Sequence, residues 1–183
     1  HSVNVALIAS ILGQWLKFSE KDIRILTISG LLHDIGKIMI PNEILTKPGK
    51  LTVAEYNIMK QHVNFGYEKV KNQNIDIRIK EACLLHHEKC DGTGYPFGLK
   101  SDHIPAVAKI IAIADVYDAM TSARVYRGAL CPFEVIDTMY KDAFTKFEPE
   151  YILPFLKNVA SSYINNDVRL SDGRIGKVVL INE

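Results

Sequence analysis

The amino-acid sequence predicts an all-α domain: a helical bundle of about five core helices, two further C-terminal helices and a small β-hairpin at the C-terminus. Three observations lead there. Apolar residues recur at three- and four-residue spacing through most of the 183 positions, the pattern of helices with one buried face. Prolines and glycines interrupt that pattern in a few stretches, above all 37–51 and 91–98. Only the end of the chain, VRLSDGRIGKVVLI, reads as β-favouring residues around a turn at Asp172-Gly173.

The first helix is expected over about residues 1–17, where Val3, Ala6, Leu7, Ser10 and Ile11 keep helical spacing. Ser19 followed by Asp22 resembles a capping start for a second helix running through ILTISGLLHDIG. KIMIPNEILTKPGKL is expected to be a loop with at most one helical turn. Thr52 with Glu55 forms another box-like start, and Tyr56, Met59, Val63, Gly66, Tyr67 and Val70 continue one stripe, with His62 in mid-helix. A fourth helix is expected over Asp76 to Glu88, ended by CDGTGYPFG, whose glycines and proline do not continue a helix. Pro105 opens a fifth, AVAKIIAIADVYDAMTSA, apolar nearly all round and so central. Helices at about 132–145 and 149–163 each begin at a proline.

Composition narrows the partners. Lys plus Arg number 22 against 21 Asp plus Glu, a net charge of +1, which argues against a broad basic face for a nucleic-acid duplex. Cys83, Cys90 and Cys131 are odd in number and lack the paired short spacing of a zinc ribbon or redox motif, so reduced cytosolic thiols are expected. No apolar run approaches the roughly 20 residues of a membrane span, and no basic n-region or cleavage site opens the chain. A cytoplasmic domain without membrane contact is the expectation. The chain starts inside a helical pattern and stops in strand-like text, so a fragment of a longer protein is expected: a domain over 1–165 and a truncated β extension over 166–183.

The chemistry lies in His1, His33, Asp34, His62, His86, His87 and Asp115. Several stand among Leu31, Leu32, Leu84, Leu85, Ile113 and Ala114, which implies burial. An unpaired buried polar group costs about 1–3 kcal/mol, and a shared cation cluster would satisfy all of them together. A lone histidine such as His62 in an apolar helix is more often a hydrogen-bonded core residue. Imidazole with carboxylate and no thiolate suits Fe, Mn, Zn, Ni or Co better than Ca or Mg. Five imidazoles and two carboxylates are too many for one ion, and closely spaced divalent cations are suited to phosphoester hydrolysis.

The strings HDIGK at 33–37, HHEKCDGTGYP at 86–96 and IADVYDAMTSARVYR at 113–127 resemble the signature of the HD-GYP family of bacterial cyclic di-GMP phosphodiesterases, a branch of the HD metal-dependent phosphohydrolases. The resemblance covers roughly residues 1–160. It implies an HD-domain helical bundle that opens cyclic di-GMP to linear pGpG, and on to GMP, in second-messenger signalling. It implies that His1, His33, Asp34 and Asp115 form the HD ligand set, that His62, His86 and His87 add a second site, and that Asp34 bridges the two. Two divalent ions follow, Fe or Mn before Ni, Co or Zn. A third ion needs a glutamate one turn before the first ligand histidine, and this chain begins at that histidine. Asp34 and Lys37 are the implied catalytic residues, with Lys37 near the scissile phosphate. Tyr95, Arg124 and Arg127 are implied substrate contacts. Gly94, Tyr95 and Pro96 form the motif loop, which is implied to meet partner domains. An N-terminal sensor or receiver domain and GGDEF-type partners are further implications.

Simpler assignments stand beside these. Lys37 can be a cation at a helix end, and Arg124 and Arg127 can form surface ion pairs. Tyr95 can pack on the core or stack on guanine. Glu88 is expected to orient its neighbours or the loop, Cys90 to carry no redox role and His103 to face solvent. Competing functions are a weakly catalytic dinucleotide receptor or interaction module, a hydrolase of 3'3'-cyclic GMP-AMP, and an HD hydrolase of nucleotide monophosphates or triphosphates.

Overall fold

The computed structural model describes residues 1–122, 130–170 and 172–181. Its helices are α1 (Ser2–Trp15), α2 (Glu20–Leu32), α3 (Asn42–Leu45), α4 (Val53–Lys60), α5 (His62–Val70), α6 (Ile77–Leu85), α7 (Ala106–Thr121), α8 (Pro132–Lys141) and α9 (Pro149–Ser161). Short 3₁₀ turns cover Ile35–Met39 and Ser101–His103, and strands β1 (Asp167–Arg169) and β2 (Ile175–Lys177) close the chain. The all-α bundle with a terminal hairpin is therefore as expected.

Local chemistry sets most helix starts. The Ser19 hydroxyl accepts the Asp22 amide at the head of α2, Thr52 and Glu55 complete a reciprocal capping box at α4, and Asp76 accepts the Arg78 amide at α6. Each cap satisfies an amide that the helix leaves unpaired and is worth about 1 kcal/mol. Prolines stand at the first positions of α8 and α9, where the missing N–H is not needed.

α7 is the axis of the bundle. Ile110, Ile111, Ile113 and Ala114 are fully buried, and α1, α2, α6 and α9 pack around it with Val5, Leu12, Leu26, Ile79, Ile152 and Phe155. Each buried large aliphatic side chain contributes about 1.5–3 kcal/mol of transfer free energy. This core fixes the ends of α2 and α6 beside the C-terminal half of α7. The hairpin lies apart from the core, with Asp167 opposite Lys177, Val168 opposite Gly176 and Arg169 opposite Ile175.

Three boundaries differ from the sequence expectation. α2 stops at Leu32, so His33 caps it and Asp34 opens the 3₁₀ turn. The helix expected from 52 to 70 is broken at Gln61, so His62 is the first residue of α5. α6 stops at Leu85, which leaves His86 as its cap, followed by His87 and Glu88. At the Gln61 break, the Gln61 amide bonds the Ile58 carbonyl and the His62 ring takes the Met59 carbonyl. The loop at 37–51 holds α3 and part of the 3₁₀ turn, slightly more structure than one helical turn.

One close approach decides where α5 sits. A Cβ on Gly36 would lie 1.9 Å from the His62 carbonyl oxygen and 2.3 Å from the Gly66 amide nitrogen. Backbone therefore meets backbone between the 3₁₀ turn and α5, and only glycine permits it. Gly36→Ala is expected to lower the melting temperature by about 5 °C or more, from an overpacking cost of about 1–3 kcal/mol. Gly176→Ala, with open space around it, is the control, and calorimetry comparing the two checks the claim.

All three cysteines are free; Cys83 is buried and Cys131 exposed. Cys83 donates its S–H to the Leu32 carbonyl at 3.3 Å. Burial, followed by the negative charge of Asp34, pushes its thiol up to about 12. At pH 8 its thiolate fraction is then roughly 10⁻⁴. Iodoacetamide at that pH is expected to modify Cys131 and to spare Cys83 until denaturant is added, as read by mass spectrometry.

Candidate metal centre

The predicted ligands converge from the start of α1, the ends of α2 and α6, the α4–α5 junction and the interior of α7. His33, at the end of α2, donates Nδ1–H to the Gly30 carbonyl at 2.7 Å. His62, just past α4, does the same to Met59 at 2.8 Å. His86, at the end of α6, does so to Ala82 at 2.9 Å. A carbonyl can only accept, so each ring is protonated at Nδ1 and carries its lone pair on Nε2. All three Nε2 atoms face inward.

Asp34 lies between two groups of these atoms. Its Oδ1 is 3.3 Å from His62 Nε2 and 3.9 Å from His86 Nε2. Its Oδ2 is 3.3 Å from His33 Nε2 and 3.5 Å from His1 Nε2. Asp115 Oδ1, on α7, is 3.0 Å from His1 Nε2 and 3.9 Å from His33 Nε2. Two candidate clusters result: Asp34, His62, His86 and His87, and His1, His33 and Asp115, the ligand atoms of each within 4.8 Å of one another.

The donor set fits divalent cations. His33, His62 and His86 are 0%, 1% and 1% exposed, and His33 Nε2 and Asp34 Oδ1 are buried without a hydrogen-bond partner. Nitrogen and carboxylate lone pairs converging in a buried space repel one another unless a cation lies among them. Imidazole nitrogen with carboxylate oxygen is the ligand chemistry of first-row transition metals and zinc.

Charge states support the same use. Burial lowers the pKa values of His62 and His86 and takes His87 down to about 4, so these rings offer lone pairs at neutral pH. Burial pushes Asp34 upward, but the neighbouring His33 ring, then the Lys37 ammonium and the His86 ring, outweigh it and hold the carboxyl far below the usual range. Asp115 is likewise held low, burial being outweighed by the His1 hydrogen bond and the neighbouring rings of His87, His86 and His33. Lys37 donates to Asp34 Oδ2 at 2.6 Å.

The motif loop closes over this cluster. A Cβ on Gly94 would lie 2.5 Å from the Glu88 Cα and 2.6 Å from the His87 carbonyl oxygen, so the loop rests on the backbone of 87–89. The Tyr95 ring then stacks on His87 at 4.7 Å and 27°, and the Tyr95–Pro96 bond is cis. The buried Glu88 carboxylate accepts the amides of Phe97, Gly98 and Leu99, an organising contact of the kind expected. His103 is exposed beside Asp102. Arg124 and Arg127 lie outside the described residues.

Sequence reasoning passed over Asp118. It is 3% exposed and accepts from His1 Nδ1 at 2.6 Å, Asn4 Nδ2 at 2.9 Å and Ser122 Oγ at 3.0 Å. It thereby turns His1 Nε2 toward Asp115 and Asp34. The His1 pKa is raised, led by the Asp115 hydrogen bond over the opposing effect of burial and joined by Asp118. Its three-residue spacing from Asp115, on one helix face, was the available signal.

An all-α scaffold with a buried, two-cluster His/Asp centre defines a candidate metal-binding domain. A family model described as "HD domain" matches residues 1–151. The chain is 38% identical over 180 residues to the cyclic di-GMP phosphodiesterase PA4108 of Pseudomonas aeruginosa, covering 98% of this chain and 43% of that protein. It is 40% identical over 142 residues to 3'3'-cGAMP-specific phosphodiesterase 1 of Vibrio cholerae, covering 76% of this chain and 32% of that one. It thus spans less than half the length of these curated relatives. The HDG"Y"P protein Bd1817 of Bdellovibrio bacteriovorus shares the fold, with a TM-score of 0.71 at 22% identity over 87% of this chain and 51% of that chain. The chain belongs to the HD domain family. No helix among the described residues is long and apolar enough to cross a membrane.

Loss of the Asp118 charge is expected to weaken metal at the His1 cluster while leaving the Asp34–His62–His86–His87 cluster within about twofold. Asp118→Asn should cost about 10–100-fold in affinity at the first cluster, the usual effect of removing a partner that orients a ligand histidine. Competitive Mn²⁺ titration resolves the two.

Proposed function

We propose that this chain is the catalytic domain of a cyclic-dinucleotide phosphodiesterase that hydrolyses cyclic di-GMP to linear pGpG, and on to GMP. The observation that supports it most directly is Asp34 presenting Oδ1 to one cluster and Oδ2 to the other, the disposition a bridging carboxylate needs. In this reading His1, His33, Asp34 and Asp115 hold one divalent ion, and Asp34, His62, His86 and His87 hold the second, with Fe or Mn ahead of Ni, Co or Zn. Such ions, when bound, polarise a phosphodiester and make water nucleophilic at neutral pH.

The chain's own residues do the positioning. The Nδ1–H bonds hold His33, His62 and His86 at fixed angles, so the reacting phosphate meets a preorganised site. Lys37, 35% exposed at its side chain and already at the centre, can turn to a nonbridging phosphate oxygen and offset charge there. Tyr95 borders the same cluster and supplies an aromatic surface for substrate, while Arg124 and Arg127 hold its outer phosphate. Residues 1–165 form the hydrolase unit and 166–183 an appended β segment. A cytoplasmic setting, an N-terminal sensor or receiver domain and partner contacts through Gly94, Tyr95 and Pro96 belong to the same proposal.

A second substrate has a specific observation behind it: relatives named as 3'3'-cGAMP-specific are 35–40% identical to this chain, so metal ligands alone do not set base identity. The decisive assay uses protein loaded anaerobically with Fe²⁺ or Mn²⁺, incubated with cyclic di-GMP or cyclic GMP-AMP, with products separated by chromatography. The parent should form linear dinucleotide, and Asp34→Ala should lose about a hundredfold or more of that rate, since both metal positions lose a ligand. Saturable binding without product would instead favour a receptor, and product only from mono- or triphosphates a simple HD hydrolase.

A further inference from the structure

We propose that Tyr56 and Lys60 of α4, with Tyr95 of the motif loop, form a wall that reads the purine of the substrate and favours guanine over adenine. This rests on the cyclic-dinucleotide reading above and deepens it by naming the residues that read the base. Tyr56 and Lys60 are four residues apart on α4, which puts them on one helix face. The Tyr56 ring meets Tyr95 edge-on, with centroids 6.4 Å apart and planes at 83°. Lys60 Nζ lies 5.3 Å from the Tyr56 centroid and 5.9 Å from that of Tyr95. Among the described residues, no carboxylate pairs with that ammonium.

The position matters because of what lies behind it. Tyr95 stacks on His87 and is 6.5 Å, centroid to centroid, from His62, so the wall begins at the cluster that would hold the phosphate and leads outward. A nucleobase sits one ribose away from its phosphate. Tyr56 is 48% exposed, an aromatic surface with room for a planar ligand, and stacking accepts any base. The cation supplies the discrimination. Guanine presents two adjacent acceptors, O6 and N7, whereas adenine pairs N7 with an amino donor that opposes an ammonium. A lysine held against two ring faces and left without a carboxylate is therefore matched to guanine. A mere helix-end lysine, favoured by the dipole, carries no such preference.

The experiment measures kcat and KM for cyclic di-GMP and cyclic di-AMP with the metal-loaded chain and its Lys60→Gln, Lys60→Arg and Tyr56→Leu variants. Circular dichroism checks folding. Lys60→Gln should lower the guanine-to-adenine ratio of kcat/KM about tenfold, chiefly through KM for cyclic di-GMP. Lys60→Arg should restore most of the preference, and Tyr56→Leu should weaken both dinucleotides together. An unchanged ratio in Lys60→Gln, or equal losses on both substrates as expected for general attraction to phosphate, overturns the proposal. A parent that turns over neither dinucleotide removes the phosphodiesterase reading instead. Dissociation constants from calorimetry then decide base preference separately, and absence of binding to both removes the wall as well.

Discussion

Three imidazoles in this protein each donate Nδ1–H to a backbone carbonyl in the last turn of a different helix: His33 to Gly30, His62 to Met59 and His86 to Ala82. A helix end leaves its last carbonyls without intrahelical donors, so a histidine placed just beyond the end meets an acceptor already fixed in direction. The bond selects the tautomer and points the Nε2 lone pair away from the helix; at Ala82 it joins the bond from the His86 amide. Because α2, α4 and α6 all end toward one region, the three lone pairs meet there. Burial then lowers the pKa values of His62 and His86, and the centre follows from helix termination as much as from the ligands.

That arrangement carries a cost. Converging lone pairs and an ionised Asp34 are taken out of water, and unsatisfied buried groups cost about 1–3 kcal/mol each. The surrounding residues offset part of it through Lys37 on Asp34 Oδ2 and His1 held between Asp115 and Asp118. At the centre His33 Nε2 and Asp34 Oδ1 still lack a hydrogen-bond partner, and they face the two clusters a divalent ion would bind. The rigid core behind them, chiefly the isoleucines of α7, resists the collapse that would relieve the repulsion.

Much of this was legible in the residue order because its causes are local. Hydroxyl caps at Ser19 and Thr52 announced helix starts, and the apolar text of α7 announced a buried axis. The break at Gln61 was not legible: the residues around it favour helix, and the turn depends on α5 lying against Gly36. Asp118 was passed over for a related reason. Its spacing from Asp115 is visible, but its role exists only because the first turn of α1 brings His1 and Asn4 against α7.

The sequence by itself determined the all-α class, most helix caps, the family motifs and the set of candidate ligands, since each is a matter of residue type at short separation. It did not determine how those ligands divide. The allotment of Asp34 Oδ1 to His62 and His86, and of Oδ2 to His33 and His1, was decided by tertiary structure. So was the approach of Lys60 to two tyrosines from separate elements. The physical reason is the same in both cases: the angle at which a side chain enters a shared space is set by the packing of distant helices, here backbone against backbone at Gly36 and Gly94, and spacing along the chain carries no record of that angle.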